Sequence, residues 1–406
     1  MDKIGPNNHL RKENPARWPL YDDEQIQDVV EVLRSGEVNS WTGPHVKNFE
    51  VAYANYLGLK YAIGLANGTV ALDLALYALG LQIGDEVIVT PRSFIASASC
   101  VPFSGGIAVF ADIDPDTQNL SAETIAAKLT PKTKGIIVVH LAGWPCDMKP
   151  IVELARKHNL WIIEDCAQAH GAEIDGRPVG TFGDIAAFSF CQDKIITTGG
   201  EGGLIAMNDE ALWKKAWSRK DHGKSYDTVF NVKHAPGFRW LHEEFGTNWR
   251  MNSIQAVLGS RQLEKLQSWN ERRTRNAGFL IAATRDLRAL RTPLPPANFK
   301  HAWYRFYTFV RPESLKQGWN RDRIMAEIIA AGTACFSGSC SEIYLEKGFR
   351  NGNGGRPIET LPQAKALGET SLAFLVDPTL SDVKMKKSAE TIRSVVSAAS
   401  LDYFTA

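Results

Sequence analysis

The segment Ser189-Phe190-Cys191-Gln192-Asp193-Lys194-Ile195-Ile196-Thr197-Thr198-Gly199-Gly200-Glu201-Gly202-Gly203 decides how this chain reads. Ile185 to Phe190 is a short apolar run of strand character, and Lys194 follows it closely with a glycine-rich turn behind. An amine at a strand end, beside a turn that leaves space for a ligand, is placed as a lysine that forms a Schiff base. A solvated loop charge is the plainer reading of the same lysine, and the sequence on either side has to separate the two.

Outward from this segment, Glu86 to Thr90, Ile107 to Ile113, Gly135 to His140, Leu160 to Asp165 and Gly203 to Met207 are also short apolar runs, almost without alternation. Such runs suit strands covered on both faces by helices. Helical patterns lie between them at Thr69 to Ala78, Ala122 to Leu129, Met148 to His158 and Glu210 to Arg219. Gly135 to Asp165 reads as a βαβ unit, with Asp147 capping the helix and Asn159 ending it. A mainly parallel α/β sheet follows.

From Asn252 the pattern becomes a long helix, with Ile254, Val257, Leu258 and Leu266 on its apolar face and Glu271-Arg272-Arg273 continuing it. A Pro-rich stretch, Thr292 to Ala297, leads into a strand-like His301 to Val310 and a helix at Arg321 to Ala331. Residues 1–275 are therefore expected to form a large domain with an N-terminal arm, and residues 276–406 a smaller C-terminal one. Asn351 to Arg356, with three glycines, reads as a surface loop.

Composition narrows the function classes. The formal charge is +1 over 406 residues, so no global field draws nucleic acid or an anionic membrane, and an anionic substrate needs local groups. Met1 to Leu20 lacks the apolar core of a signal peptide and no run is long enough to span a bilayer, which points to a soluble, cytoplasmic protein. The six cysteines form no C-x-x-C pair and the nine histidines no H-E-x-x-H, so reduced thiols and no metal site are expected.

Four further features have both a plain and a functional reading. Asn67-Gly68-Thr69 opens a helix, where free N–H groups favour a phosphate, although any helix start looks similar. Asp165 ends a strand at the edge where open α/β sheets place ligands, and there it either holds a ring nitrogen or binds loop amides. Phe94, just past a strand, is either core or a face for a planar ring. Asn248 and Arg250, before the long helix, are either caps or ligand contacts.

In combination these segments resemble the pyridoxal-phosphate-dependent sugar aminotransferases of the DegT/DnrJ/EryC1/StrS group, which have the type I aminotransferase fold. The resemblance runs from about Tyr21 to the C-terminus. Its densest places are Thr42-Gly43-Pro44 with Phe49-Glu50, Ala66 to Thr69 with Ala71-Leu72, Glu164 to Gly171, Ser189 to Gly203, Asp221-His222-Gly223, and Asn248 to Met251 with Gln255-Ala256. It implies a seven-stranded, mainly parallel sheet and a smaller α+β domain.

The same resemblance implies that Lys194 carries the cofactor, Asp165 pairs with its ring nitrogen and Gln168 contacts the ring or its phenolic oxygen. Gly68, Thr69 and Ser189 would hold the phosphate, Phe94 would stack on the ring, and Asn248 would reach the phosphate from a partner subunit, making a homodimer with shared sites. Glutamate would be the donor, leaving as 2-oxoglutarate while the cofactor becomes pyridoxamine phosphate. Lys194 would then be the base, with its pKa lowered by burial beside the cofactor.

The expected acceptor is a nucleotide-linked keto sugar, in first place a UDP-linked 4-keto-6-deoxy N-acetylhexosamine on the way to amino sugars of bacterial surface glycans such as O-antigen. A GDP- or dTDP-linked 3- or 4-keto sugar is the alternative. The diphosphate needs cations, for which His222, Lys224, Arg239 and Arg250 are candidates, and Ser339 and Tyr344 are candidate sugar contacts. The chain departs from the family at Asn67, where Ser is common, and at Cys191-Gln192-Asp193, where a small or Pro-containing tripeptide is usual. A dehydratase branch carries His in place of the lysine, so Lys194 argues against that branch.

Two other classes were open to the sequence. A nucleotide-dependent oxidoreductase is a poor match, because Gly199 to Gly203 lacks the G-x-G-x-x-G spacing and precedes a strand. A non-catalytic pyridoxal-phosphate sensor differs only in lacking turnover.

Overall fold

The computed structural model describes residues 17–233, 239–350, 355 and 360–401. The start of the expected N-terminal arm and most of the loop expected at Asn351 to Arg356 thus lie outside the described residues. Seven strands, β1 (Tyr61–Leu65), β2 (Glu86–Val89), β3 (Ile107–Phe110), β4 (Thr133–Val139), β5 (Trp161–Asp165), β6 (Ile185–Ser189) and β7 (Gly203–Met207), make one sheet in the order β1-β7-β6-β5-β4-β2-β3. Among these, β7 alone runs antiparallel to its neighbours.

The unalternating sequences have the expected cause. Ile205 and Met207 of β7 enter one hydrophobic core while Leu204 and Ala206 enter another on the opposite face. Both faces are buried, so every position is apolar. The parallel strands end at one edge of the sheet and β7 begins there, with Gly203 opposite both Leu65 and Ser189. A Cβ on Gly203 would lie 2.1 Å from the Asn67 carbonyl oxygen, so only glycine lets the turn after β1 close onto β7.

A second, antiparallel sheet is formed by β8 (Leu290–Arg291), β9 (Phe306–Val310) and β10 (Ser371–Phe374), in that order. Helices Arg321–Ala330 and Asp382–Ala399 share its core. The helix Ser253–Thr284 runs between the two regions: Ala256 and Leu266 belong to a core of the large sheet, Ala277 and Leu280 to that of the small one.

Several local expectations change. Leu258 and Leu266 are buried as expected but Ile254 and Val257 only half so; the buried stripe also takes Ala256, Gly259, Gln262, Asn270 and Arg273, which are small or polar. Asp147 is the N-cap residue of Met148–Lys157, but its side chain makes no cap hydrogen bond. The helix from Ala122 ends at Ala126, just ahead of Thr130-Pro131, where a proline disfavours helical backbone before it. His301 to Arg305 is not strand: Ala302 and Tyr304 donate to the Gly143 and Ala142 carbonyls, and Trp303 takes φ 49°. That detour carries Tyr304 and Arg305 to Lys194.

Candidate active site

At the edge where β1, β5 and β6 end, a cavity of about 560 Å³ is lined by Gly68, Thr69, Phe94, Asp165, Gln168, Ser189 and Lys194 among others. The fold therefore gathers residues up to 134 positions apart in sequence, since Asn67 and Glu201 both line this cavity. At one end the helix Gly68–Ala78 begins. Asn67 satisfies the N–H of Val70 with its side chain at 3.0 Å and that of Ala71 with its carbonyl at 3.3 Å. The N–H groups of Gly68 and Thr69 are left as the anion donors of this helix start. Ser189 stands beside them, and a Cβ on Gly68 would come within 2.6 Å of the Ser189 Cβ.

Ser189 is fixed from behind. Its carbonyl accepts from His170 Nε2 at 2.9 Å, so the other ring nitrogen, Nδ1, accepts from the Tyr53 hydroxyl at 2.7 Å. Burial pushes His170 down to about 4, and the ring is neutral at neutral pH.

In the middle of the cavity, the Asp165 carboxylate accepts from the Ser97 hydroxyl at 2.7 Å and from the Ala167 N–H at 3.1 Å. Burial raises its pKa and these two donors, with the Lys194 charge, hold it back; the net direction is upward. A carboxylate so held has one face left for a cationic or protonated ring nitrogen. Gln168 accepts from the Ala142 N–H at 2.8 Å through its amide oxygen, which leaves the amide NH₂ as its donor toward the cavity. Phe94 is 66% exposed and lines this cavity, so the core reading fails.

Lys194 lies in the turn after β6, its side chain 14% exposed, with Nζ 3.3 Å from Asp193 Oδ1 and 5.1 Å from the centre of the Tyr304 ring. Burial lowers its pKa as expected, but Tyr304 and Asp193 outweigh burial and the net shift is upward. The expectation of a lowered pKa took account of burial and the cofactor and left out this adjoining carboxylate.

A second cavity of about 610 Å³ shares Ser93, Phe94, Gln168, Asp193 and Lys194 with the first and extends between the two sheets to Arg305, Tyr307 and Ser339. Ser339, one of the expected sugar contacts, is thus brought to the site. Tyr344 is not: it is 5% exposed, its hydroxyl donates to Glu342 at 2.6 Å and accepts from the Leu361 N–H at 3.2 Å, and its ring meets the edge of Phe110. Arg250 and Lys224 are both paired with Asp221, at 2.7 and 2.9 Å. His222, Arg239 and Asn248 are exposed and line neither cavity of their own chain.

Sequence reasoning missed Ser97, which orients Asp165; Tyr53 and His170, which brace Ser189; and Tyr304 and Arg305. His170 sat inside a quoted motif, and a histidine next to Gln168-Ala169 was a usable signal. Ser97, in the generic run Ala96-Ser97-Ala98-Ser99, gave none.

The donor set fits pyridoxal phosphate: a helix-start cradle too tight for any side chain at position 68 matches a phosphate, a buried carboxylate matches a ring nitrogen, and an amine stands between them and open space. A seven-stranded sheet with one antiparallel strand, carrying this site on its strand ends, defines an enzyme of the type I aminotransferase fold that uses pyridoxal phosphate. The chain belongs to the DegT/DnrJ/EryC1/StrS aminotransferase family, which it matches over residues 19–393.

The chain is similar to GDP-perosamine synthase of Caulobacter vibrioides, 40% identical over 77% of this chain and 81% of that one. It is also similar to UDP-N-acetyl-3-dehydro-alpha-D-glucosamine 3-aminotransferase of Acidithiobacillus ferrooxidans, 35% identical over 91% and 93%. The solved aminotransferase from Psychrobacter cryohalolentis is 52% identical and superposes with a TM-score of 0.93 over 95% of this chain and all of that one. The protein is an aminotransferase of nucleotide sugars.

Proposed function

We propose that the chain moves the amino group of glutamate to a UDP-linked 4-keto-6-deoxy N-acetylhexosamine, supplying an amino sugar for bacterial surface glycans such as O-antigen. The carrying observation is the pair of cavities that share Lys194: one has the size and donors for the cofactor, the other opens from the same amine toward Ser339 with about 610 Å³ of room. The Acidithiobacillus relative, named for a UDP-linked N-acetyl sugar, supports the UDP reading. A GDP-linked acceptor is the second reading, favoured by the relative at 40% identity.

In this reading Gly68, Thr69 and Ser189 would hold the phosphate, Asp165 the ring nitrogen, Gln168 the ring edge and Phe94 the ring face. Bound pyridoxal phosphate supplies a carbonyl carbon for the amine and a ring that accepts an electron pair. The rest falls to the chain. Lys194 takes a proton from the substrate carbon and returns it, from a position that borders both cavities. Ser97 favours the charged form of Asp165, and Ser339 would touch the sugar.

Asn248 is exposed and lines neither of the two cavities around Lys194, which supports its service to a partner's phosphate site in a cytoplasmic homodimer; His222 and Arg239 are exposed as well. The large and small parts of the chain would divide near residue 275, inside the helix Ser253–Thr284. No described helix is long and apolar enough to cross a membrane.

The test is a panel of UDP-, GDP- and dTDP-linked 3- and 4-keto sugars added to enzyme preloaded with glutamate. Return of the visible absorption with one nucleotide class identifies the acceptor. A response to glutamate and to none of the sugars refutes the acceptor assignment, and no response to any amino acid favours the sensor.

A further inference from the structure

Asp193 directly precedes Lys194 and is engaged from three sides. Its Oδ1 lies 3.3 Å from the Lys194 Nζ; its Oδ2 accepts from the Tyr304 hydroxyl and lies 3.8 Å from Arg305 Nη2. Arg305 in turn stacks over the Tyr304 ring at 4.4 Å, while the Lys194 amine sits 5.1 Å from the centre of that ring, within cation–π reach. The lysine backbone is pinned as well, since Trp18 Nε1 donates to the Lys194 carbonyl at 2.8 Å. The transfer chemistry above makes no use of Asp193, yet its carboxylate borders both cavities beside the reacting amine.

We propose that Asp193 is a positioning residue which, clamped by Tyr304, holds the free Lys194 ε-ammonium at the seam between the cofactor cavity and the outer cavity. The proposal rests on the reading of Lys194 as the reacting amine. A lysine released from the cofactor has four rotatable carbons and would otherwise sample solvent or the space a substrate needs. The Asp193 carboxylate cannot follow it out, because the Tyr304 hydroxyl and the Arg305 guanidinium keep it on the side of β9. The group is thereby stored within reach of the substrate carbon, to which the ammonium can return a proton and from which, once deprotonated, the amine takes one.

The other charged or titratable groups around Lys194 do not supply this hold. Asp165 at the end of β5 is taken by Ser97 and Ala167. His170 is neutral, Arg305 and Arg273 are cationic, and Cys191 faces Glu201 at 4.0 Å. Burial pushes the amine down, and Tyr304 and Asp193 push it further up, in keeping with a held ammonium.

The test uses the full chain freed of cofactor, so that it does not depend on turnover or on which sugar is used. Lys194 is acylated with trace acetic anhydride across a pH series and quantified by mass spectrometry, with exposed Lys60 as internal standard. In Asp193→Asn, which keeps the size and an acceptor for Tyr304 but removes the charge, the pH midpoint of Lys194 reactivity falls by about one unit, giving about tenfold more acylation below the midpoint. Asp193→Ser, a second charge-removing variant, shifts it the same way, Asp193→Glu restores most of the wild-type value, and Tyr304→Phe gives a smaller shift of the same sign. A midpoint at the wild-type value in either charge-removing variant overturns the proposal while leaving the aminotransferase reading intact.

Discussion

His170 ties stability to pH through its hold on Ser189. Its folded value of about 4 lies below the ordinary 6.5, because burial removes the water that would solvate an imidazolium and the Lys194 and Arg273 charges oppose a further cation, while the Ser189 carbonyl holds the shift back in part. A depressed folded pKa means that the unfolded chain binds the proton first as pH falls. The stabilisation is whole above about pH 6.5 and is lost progressively toward about pH 4. Between about pH 8 and about pH 5 these two values remove about 2 kcal/mol of unfolding free energy. In His170→Gln the amide NH₂ takes the place of Nε2–H toward Ser189 and nothing titrates; the Tyr53 hydroxyl loses its acceptor at a cost of about 1–3 kcal/mol. Urea unfolding of cofactor-free wild type and variant at both pH values is the assay. The variant should be less stable than wild type at the higher pH, and its pH-dependent loss should be smaller by about 2 kcal/mol. His301, pushed by burial to about 3, titrates in both proteins and cancels in the comparison. An unchanged pH-dependent loss in the variant would refute the assignment of a buried neutral His170.

Gly68→Ala should weaken pyridoxal phosphate binding at least about tenfold, measured by fluorescence titration, since its Cβ would sit 2.6 Å from that of Ser189 and push the cradle open. Ser97→Ala removes the 2.7 Å bond to Asp165, worth about 1.5–3 kcal/mol for a charged acceptor, so cofactor affinity should fall about ten- to a hundredfold with little change in thermal midpoint. Lys194→Ala should leave no cofactor on the peptide after borohydride treatment and no measurable transfer. Mixing Lys194→Ala with Asn248→Ala subunits should restore up to about a quarter of wild-type activity, because half the random dimers would have one complete site of two; no recovery would place both residues in one chain's site.

How far the sequence could be read depended on how local each determinant is. β5 and β6 were legible because strands buried on both faces are mostly apolar without alternation, and the helix start at Gly68 because a cap and a glycine are neighbours. β1 was missed: Tyr-Ala-Ile-Gly-Leu is poor in β-branched residues, and its place comes from pairing with β7, which lies about 140 residues on. The long helix was recognised with only part of its inner face: Leu258 and Leu266 are buried, Ile254 and Val257 half-buried. Gly259 and Ala256 are buried because large residues such as Phe49 come to them, a Cβ on Gly259 meeting that ring at 2.7 Å. Periodicity of apolar residues cannot report a face whose partner supplies the bulk.

The site divides along the same line. The residues proposed to hold the cofactor sit near strand ends, and Lys194, Asp165 and Gly68 could be picked out by local signals that were weak singly, with Ser189 added by the resemblance. Their supports could not. Ser97 reaches Asp165 across 68 positions, Asn270 reaches the His170 carbonyl across 100 and Tyr304 reaches Asp193 across 111. Each support depends on tertiary packing: Ser97 and Asn270 reach from the helices Ala96–Phe103 and Ser253–Thr284, and Tyr304 from a stretch outside regular structure. Tyr304 is the clearest case: had His301 to Arg305 continued as strand into β9, its hydroxyl would pair along the small sheet. With Trp303 in the left-handed region and the Gly143 carbonyl as anchor, the chain bends toward the large sheet instead. The environment of the Lys194 amine is therefore set by a contact between the two parts of the chain. Changes at the Ala142-Gly143 anchor, remote in sequence from the lysine, should alter Lys194 reactivity as changes at Tyr304 do.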